Sequence, residues 1–321
     1  MIKESHEHRI QSMNEMEKRF AELTNKYAPC LLEALKPTLS PLELMICTRA
    51  EKRLNAGRWY DCWGIPESAI DFKWILQEEG VSTEQQLLAL AILWYHDSGY
   101  PPNLKSEEYA DVDMREFHMR EGTLHFIQDL CHIRREEGPY LFTRREIANA
   151  ADTLIQHDDK FLGNKSIHSD LFGTFLDGDT IFIPSFVSMY KDFLSRYGRP
   201  QSETNPHDMK GEEFLAMRQC YFFRPGEEES YHQKIRITPA TEEKFEKKRL
   251  PVKFETTKKV IAAHMLARTQ ECEQGLFEYA TNGDWNQFRP HAVEYFEKSI
   301  EAVAQGRSYD ALKFELEHTP R

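Results

Sequence analysis

The stretch LALAILWYHDSGY, residues 88–100, places a polar pair at the end of an apolar helix. Ser82 followed by Gln85 is a capping-box pattern, so the helix is predicted to begin there. Its apolar residues cover nearly every face, which predicts a central, buried helix. His96 and Asp97 follow without a break. Burying an imidazole beside a carboxylate is costly unless the two groups bind something, and a divalent metal is the usual reason.

Three later segments carry further residues of metal-ligand type. His118 stands in HMREGT, where Gly122 follows four residues later, and His157 ends the helical segment ADTLIQHDD. Asp177 and Asp179 lie in FLDGDTI, which is also predicted to be a largely apolar helix. Imidazole and carboxylate groups together suit Mn, Fe, Co, Ni and Zn better than Mg. The sequence therefore predicts a metal centre assembled from several helices.

This order of residues resembles the HD-domain superfamily, most of whose members are metal-dependent phosphohydrolases, over residues 55–199. The His-Asp pair matches the family's signature, and His118 and His157 resemble its two middle histidines. Asp179 matches the closing aspartate better than Asp177, because that ligand usually follows a small residue. The segments ALAILWYHDSGY and FLDGD look most like the branch of small predicted HD phosphohydrolases.

The resemblance implies a phosphohydrolase that acts on a small phosphorylated molecule or nucleotide. It implies one or two divalent metal ions (Mn, Fe, Zn, Co, Ni or Mg), bridged by a central carboxylate. The implied metal ligands are His96, Asp97, His118, His157 and Asp179. The implied catalytic residues are Asp97, His118 and His157. Cations close to these ligands in sequence are candidates to bind the substrate phosphate: Arg115, Arg120, Lys160 and Lys165.

One position departs from the family pattern. The family's first His has no counterpart in RWYDCWGIPESAI, residues 58–70, where Asp61 or Cys62 replaces it or the ligand is missing. A carboxylate would suit Mg, Mn or Fe, and a thiolate would favour Zn. We take Asp61 as the candidate sixth ligand. Two alternative functions stay open: an HD-fold iron-dependent oxygenase, and a catalytically impaired HD binding or regulatory module.

Composition narrows the function classes. Among 321 residues, 41 Lys and Arg stand against 53 Asp and Glu, a net charge of −12 that argues against nucleic-acid binding. No apolar run approaches the roughly 20 residues of a membrane span. The charged N-terminal segment has no signal-peptide core, and the six cysteines form no C-x-x-C pair, so we expect a cytoplasmic protein. Its expected partner is the phosphorylated small molecule, and a homo-oligomer is left open.

The periodicity of apolar residues predicts an all-α fold. Three regions are expected: an N-terminal helical extension (1–54), an HD-domain core (55–199) and a C-terminal, mostly helical region (200–321). Within them, residues 66–79 and 256–280 are each predicted to form one helix. One small β-hairpin is predicted from residues 219–224 and 231–238, which flank the segment PGEEES.

Overall fold

The computed structural model describes residues 2–54, 59–101, 112–133, 140–158, 169–196, 209–246 and 249–318. These ranges contain helices and turns but no β-strand, so the all-α prediction is confirmed. The α-helices are α1 (Ile2–Leu35), α2 (Pro41–Glu51), α3 (Trp59–Glu78), α4 (Thr83–Tyr95), α5 (Met114–Leu130), α6 (Arg144–Gln156), α7 (Asp170–Phe182), α8 (Phe186–Arg196), α9 (Gly211–Gln219), α10 (Glu227–Ser230), α11 (Pro239–Phe245), α12 (Glu255–Glu273), α13 (Leu276–Asn282), α14 (Trp285–Val303) and α15 (Tyr309–His318). A short 3₁₀ helix, Lys36–Thr38, follows α1.

Helix α4 lies at the centre of the fold, as its sequence predicts. The Ser82 side chain accepts a hydrogen bond from the backbone N–H of Gln85 and caps the first turn. Every residue from Leu87 to Tyr95 is buried, and α2, α3, α5, α6 and α7 pack around the helix. The polar pair that follows α4 therefore lies among helices rather than at the surface.

The predicted hairpin is wrong. Residue 219 ends α9, residues 220–222 form a turn, and α10 occupies most of the expected hairpin loop. The side chains of Tyr221, Phe222 and Phe223 are all buried. Successive side chains of a strand point to opposite faces of the sheet, so three adjacent aromatics enter one core more readily from a turn.

Two predicted helix boundaries are also wrong. Helix α3 begins at Trp59 rather than at residue 66, with Pro66 inside it, and the burial of Trp63 favours the earlier turns. The predicted helix 256–280 is two helices, because Gly275 adopts the left-handed backbone conformation, with φ of 83°, between α12 and α13.

The N- and C-terminal helices pack against the same core as α3 and α4. Helix α1 packs against α3, α8, α13 and α14, and Phe20 on α1 stacks on Phe296 of α14. One continuous cluster of buried apolar side chains joins these helices. The predicted boundary near residue 200 lies outside the described residues, so the three-region division stays a prediction. None of the described helices combines the length and the apolarity that a bilayer crossing requires.

A buried ionic network fixes the C-terminal helices to α3. His264 of α12 lies between Asp71 of α3, with Nε2 3.5 Å from Oδ2, and Asp310 of α15, with Nδ1 2.9 Å from Oδ2. Arg268 Nη1 approaches Asp310 Oδ2 at 3.1 Å. Burial opposes the charge on His264, but hydrogen bonds to Asp310 and Asp71 outweigh it and raise its pKa to about 9. Breaking such a buried pair leaves an uncompensated charge.

This network predicts a pH-dependent stability. The pKa of His264 is about 9 in the fold and about 6.5 in an unfolded chain. Its contribution is therefore complete below about pH 6.5 and lost as the pH rises through 9, in total about 3 kcal/mol. Urea unfolding at pH 6, 7.5 and 9 measures it. The His264→Gln variant should be less stable than the wild type at pH 6, and the difference should shrink by pH 9. A constant difference would contradict this.

The end of α4 touches α5 backbone to backbone. A Cβ added to Gly99 would lie 2.0 Å from the backbone oxygen of His118 and 2.4 Å from the backbone nitrogen of Gly122. A Cβ at Gly122 would lie 2.9 Å from the backbone oxygen of Tyr95 and 3.0 Å from that of His96. Only glycine permits this approach, which places the His-Asp pair beside His118.

Replacing Gly99 by alanine should force the two backbones apart. Because the clash is with main-chain atoms, which cannot rotate away, we expect a loss of about 3 kcal/mol in the free energy of unfolding. Gly226 has φ of 91° with no atom within 4 Å of an added Cβ, so Gly226→Ala should lose only about 1 kcal/mol. Denaturant unfolding of both variants tests this, and equal losses would be evidence against the close approach.

Candidate metal centre

A hydrogen bond to a backbone carbonyl fixes the ring of each of three histidines. His96 is the C-cap residue of α4 and His157 that of α6, and each places Nδ1 2.7 Å from the carbonyl oxygen three residues earlier. Carbonyls in the last turn of a helix have no partner within the helix, so the imidazoles supply one. In α5, His118 Nδ1 lies 2.8 Å from the carbonyl oxygen four residues earlier. A carbonyl only accepts, so each Nδ1 is the donor.

The opposite ring nitrogens of His118 and His157 point toward each other. In the neutral ring, a proton on Nδ1 leaves a lone pair on Nε2. The Nε2 atoms of His118 and His157 are 3.1 Å apart. Burial lowers the pKa of His118 to about 4; nearby Asp97 opposes this shift and His157 adds to it. Two lone pairs at this distance repel, and a cation between them converts the repulsion into two bonds.

Asp97 lies between two groups of ligand atoms. Its Oδ1 is 3.5 Å from Nε2 of His118 and 3.8 Å from Nε2 of His157, and its Oδ2 is 3.5 Å from Nε2 of His96. Asp97, His118 and His157 each offer one ligand atom, and these atoms lie within 4.8 Å of one another. Ligands bound at about 2.1 Å to one ion are themselves about 3 to 4 Å apart. The three residues could therefore hold a divalent metal ion.

The fourth helix to reach the centre is α7. Asp179 Oδ1 lies 3.5 Å from His96 Nε2, and the ring of Phe175, one turn earlier, packs against His96 and His157. Asp177 faces away. It is buried and accepts hydrogen bonds from two backbone N–H groups and one hydroxyl at the start of α12. The structure thus places Asp179 at the centre and uses Asp177 as a helix cap.

Of the four predicted phosphate-binding cations, the structure places one beside the centre. Arg115 lies at the rim of the centre, with Nε 3.5 Å from Oδ2 of Asp158. Arg120 is exposed and pairs with Glu121. It follows His118 by two residues, and a helical side chain at that spacing points nearly to the opposite face of the helix. Arg120 therefore does not reach the centre, contrary to the prediction. Lys160 and Lys165 lie outside the described residues.

Asp61, the predicted replacement for the first histidine, is buried in the first turn of α3. Among the described residues it is not part of the close group formed by Asp97, His118 and His157. Helix α3 packs against α4 and α7, both of which carry residues of the centre. The role of Asp61 as a metal ligand stays a prediction.

Two residues at the centre are absent from the sequence prediction. Asp158 Oδ2 lies 3.7 Å from Nε2 of His118, and its Oδ1 lies 3.9 Å from Nε2 of His157. Tyr100 stacks on the His118 ring, with centroids 4.1 Å apart and planes 12° apart. The sequence signals that could have identified them are the carboxylate directly after His157 and the tyrosine that ends the segment HDSGY. Asp97, Asp158 and Asp179 together give the centre a negative charge that a divalent ion would offset.

No protein-family model, curated protein or solved structure matches this chain.

We expect a divalent ion to stabilise the protein through this centre. At a free Co²⁺ concentration of 100 times the dissociation constant, the gain in unfolding free energy should be about 2.7 kcal/mol. His118→Ala and His157→Ala should each weaken Co²⁺ binding at least tenfold, since each removes one donor. Exposed His132, just after α5, supplies the matched control His132→Ala. Calorimetric titration of the metal-free protein tests this, and equal affinity in all four proteins would disprove the site.

Proposed function

We propose that this chain is a metal-dependent phosphohydrolase with an HD-type helical core, acting on a small phosphorylated molecule or nucleotide. The observation that carries the proposal is the convergence of three histidine Nε2 atoms on the carboxylate of Asp97. Each of these imidazoles is fixed through Nδ1 to a backbone carbonyl. Histidine ligands are commonly oriented in this way by a hydrogen bond from the second ring nitrogen.

The order of the residues along the chain supports an HD-type core. The His-Asp pair ends one helix, His118 and His157 follow on the next two, and Asp179 lies on the fourth. Apart from the family's first His, which has no counterpart here, this is the order of the family that the sequence resembles. The mixed imidazole and carboxylate donors favour Mn, Fe, Co, Ni or Zn. Asp97 directs one oxygen to each side of the centre, as a carboxylate that bridges two ions would.

The surroundings of the centre favour a small phosphate ester. A divalent ion bound there would lower the pKa of a bound water and polarise a phosphoryl oxygen. The side chains of Asp97 and Asp158 are each 15% exposed and that of Asp179 is 12% exposed, so access is narrow. Arg115, at the rim, supplies a cation for phosphate oxygens. Hydrolysis would add water to phosphorus and break the ester P–O bond, which releases phosphate and an alcohol.

The Asp97→Ala variant should lose phosphatase activity and metal binding but keep its fold. Asp97 follows the last turn of α4, so its truncation leaves no helix defect, and it removes repulsion among the carboxylates. Without metal, its melting temperature should equal or exceed that of the wild type. The measurements are release of inorganic phosphate from a panel of phosphomonoesters and nucleotides, Co²⁺ titration, and thermal melting.

The control for this experiment is Asp152→Ala, an exposed carboxylate of α6 that hydrogen-bonds to Gln156. It should keep both activity and metal binding. Oxygen consumption by the iron-loaded protein, without phosphate release under any metal, would favour the oxygenase instead. A metal-free Asp97→Ala protein that melts far below the wild type would show that Asp97 is a structural anchor.

A further inference from the structure

Asp158 occupies a position between a cation and the metal centre. Its Oδ2 is 3.5 Å from Nε of Arg115 and 3.7 Å from Nε2 of His118. Its Oδ1 is 3.9 Å from Nε2 of His157. The same carboxylate therefore faces a guanidinium on one side and two prospective metal-binding nitrogens on the other.

Asp158 lies just beyond the tightest group of donors. Asp97, His118 and His157 have ligand atoms within 4.8 Å of one another, and Asp158 is not part of that group. Its two distances to the histidine nitrogens nevertheless resemble those of Asp97, which are 3.5 and 3.8 Å. A small rotation of its side chain toward the histidines would bring an oxygen into the arrangement that donors around one ion adopt.

The contact between Asp158 and Arg115 is suited to exchange. At 3.5 Å it is longer than a usual charge-assisted hydrogen bond. The side chain of Arg115 is 38% exposed, so solvent can solvate the guanidinium when the carboxylate leaves. A divalent ion held by two imidazoles competes strongly for the same carboxylate. The ion pair is therefore the weaker of the two available partnerships.

We propose that metal binding transfers Asp158 from Arg115 to the ion, and that the released Arg115 becomes the group that binds the substrate phosphate. Arg115 and His118 are three residues apart in α5 and lie on one face of the helix, which keeps the guanidinium beside the centre. A guanidinium binds two phosphate oxygens at once. The second part of this inference rests on the proposed phosphohydrolase function, because only a phosphorylated substrate needs that cation.

The transfer is tested by Co²⁺ titration of metal-free wild type, Asp158→Asn, Arg115→Gln and the double variant. Asp158→Asn should weaken Co²⁺ binding about tenfold, since an amide is a poorer ligand than a carboxylate. Asp158→Glu, which keeps the charge, should retain more of the affinity. Arg115→Gln should strengthen Co²⁺ binding severalfold, because it removes the competitor for Asp158. This gain should disappear when Asp158 is already Asn.

The phosphate role is tested by titrating inorganic phosphate into the Co²⁺-loaded proteins. Arg115→Gln should bind phosphate about tenfold more weakly than the wild type. The matched control is Arg120→Gln, from the exposed face of the same helix, which should bind phosphate like the wild type. Thermal melting without metal shows that each variant is folded. None of these measurements needs turnover, so they can succeed even where no phosphate ester is hydrolysed.

Three outcomes would contradict the inference, the first two its metal-driven transfer and the third its phosphate role. Co²⁺ affinity within twofold of the wild type in Asp158→Asn would show that Asp158 is not a ligand. An equal gain from Arg115→Gln in the wild type and in the Asp158→Asn background would show that Arg115 acts only by long-range repulsion of the ion. Unchanged phosphate affinity in Arg115→Gln would overturn the phosphate role alone.

Discussion

The centre depends on one steric constraint, the contact of two backbones at Gly99 and Gly122. A side chain at either glycine would meet main-chain oxygen or nitrogen atoms at 3.0 Å or less. Because no side chain separates the end of α4 from α5, the residues just before the first glycine come directly beside His118. The buried apolar surface of α4 then fixes this crossing within the core. The burial of α4 determines where the polar pair lies, and the glycines determine how closely His118 approaches it.

Backbone carbonyls set the chemistry of the histidines. His96 and His157 occupy C-cap positions, where carbonyls lack partners within the helix, and each imidazole satisfies one of them. This hydrogen bond stabilises the helix end and uses the proton on Nδ1, so in the neutral ring the lone pair on Nε2 is the one that could bind a metal. One local interaction thus serves folding and ligand orientation together. The Nε2 atoms of the three buried imidazoles face three carboxylates, whose negative charge a cation bound among them would offset.

Much of the fold was predictable because its signals are local. The apolar run of α4 and the Ser82 cap each depend on residues within a few positions. The break at Gly275 had a local signal in the glycine itself, but the apolar periodicity on both sides of it predicted one continuous helix. The early start of α3 was not predictable from local pattern, because it depends on the packing of Trp63 against Phe296, far along the chain. The hairpin prediction also failed because of packing. Tyr221, Phe222 and Phe223 are all buried, and a turn can bury three adjacent side chains where a strand would point the middle one to the opposite face.

The order of the candidate ligands along the chain was predictable, but not every residue that lies beside them in the structure. His96, Asp97, His118, His157 and Asp179 come together in the structure. Arg120 and Asp158 show what sequence order leaves undetermined. Arg120 is two residues from His118 and its exposed side chain points away from it, a consequence of the 100° turn per helical residue. Asp158 follows His157 directly, one residue beyond the C-cap of α6, so the direction of its side chain depends on the fold.

The most direct measurement is a crystal structure of the protein soaked with Co²⁺ or Mn²⁺, with anomalous scattering data collected at the metal edge. We expect an anomalous peak that locates a metal ion about 2.0 to 2.3 Å from Nε2 of His118, Nε2 of His157 and an oxygen of Asp97. If no peak appears among these three side chains, although the same soak produces metal peaks elsewhere on the protein surface, the metal centre is contradicted.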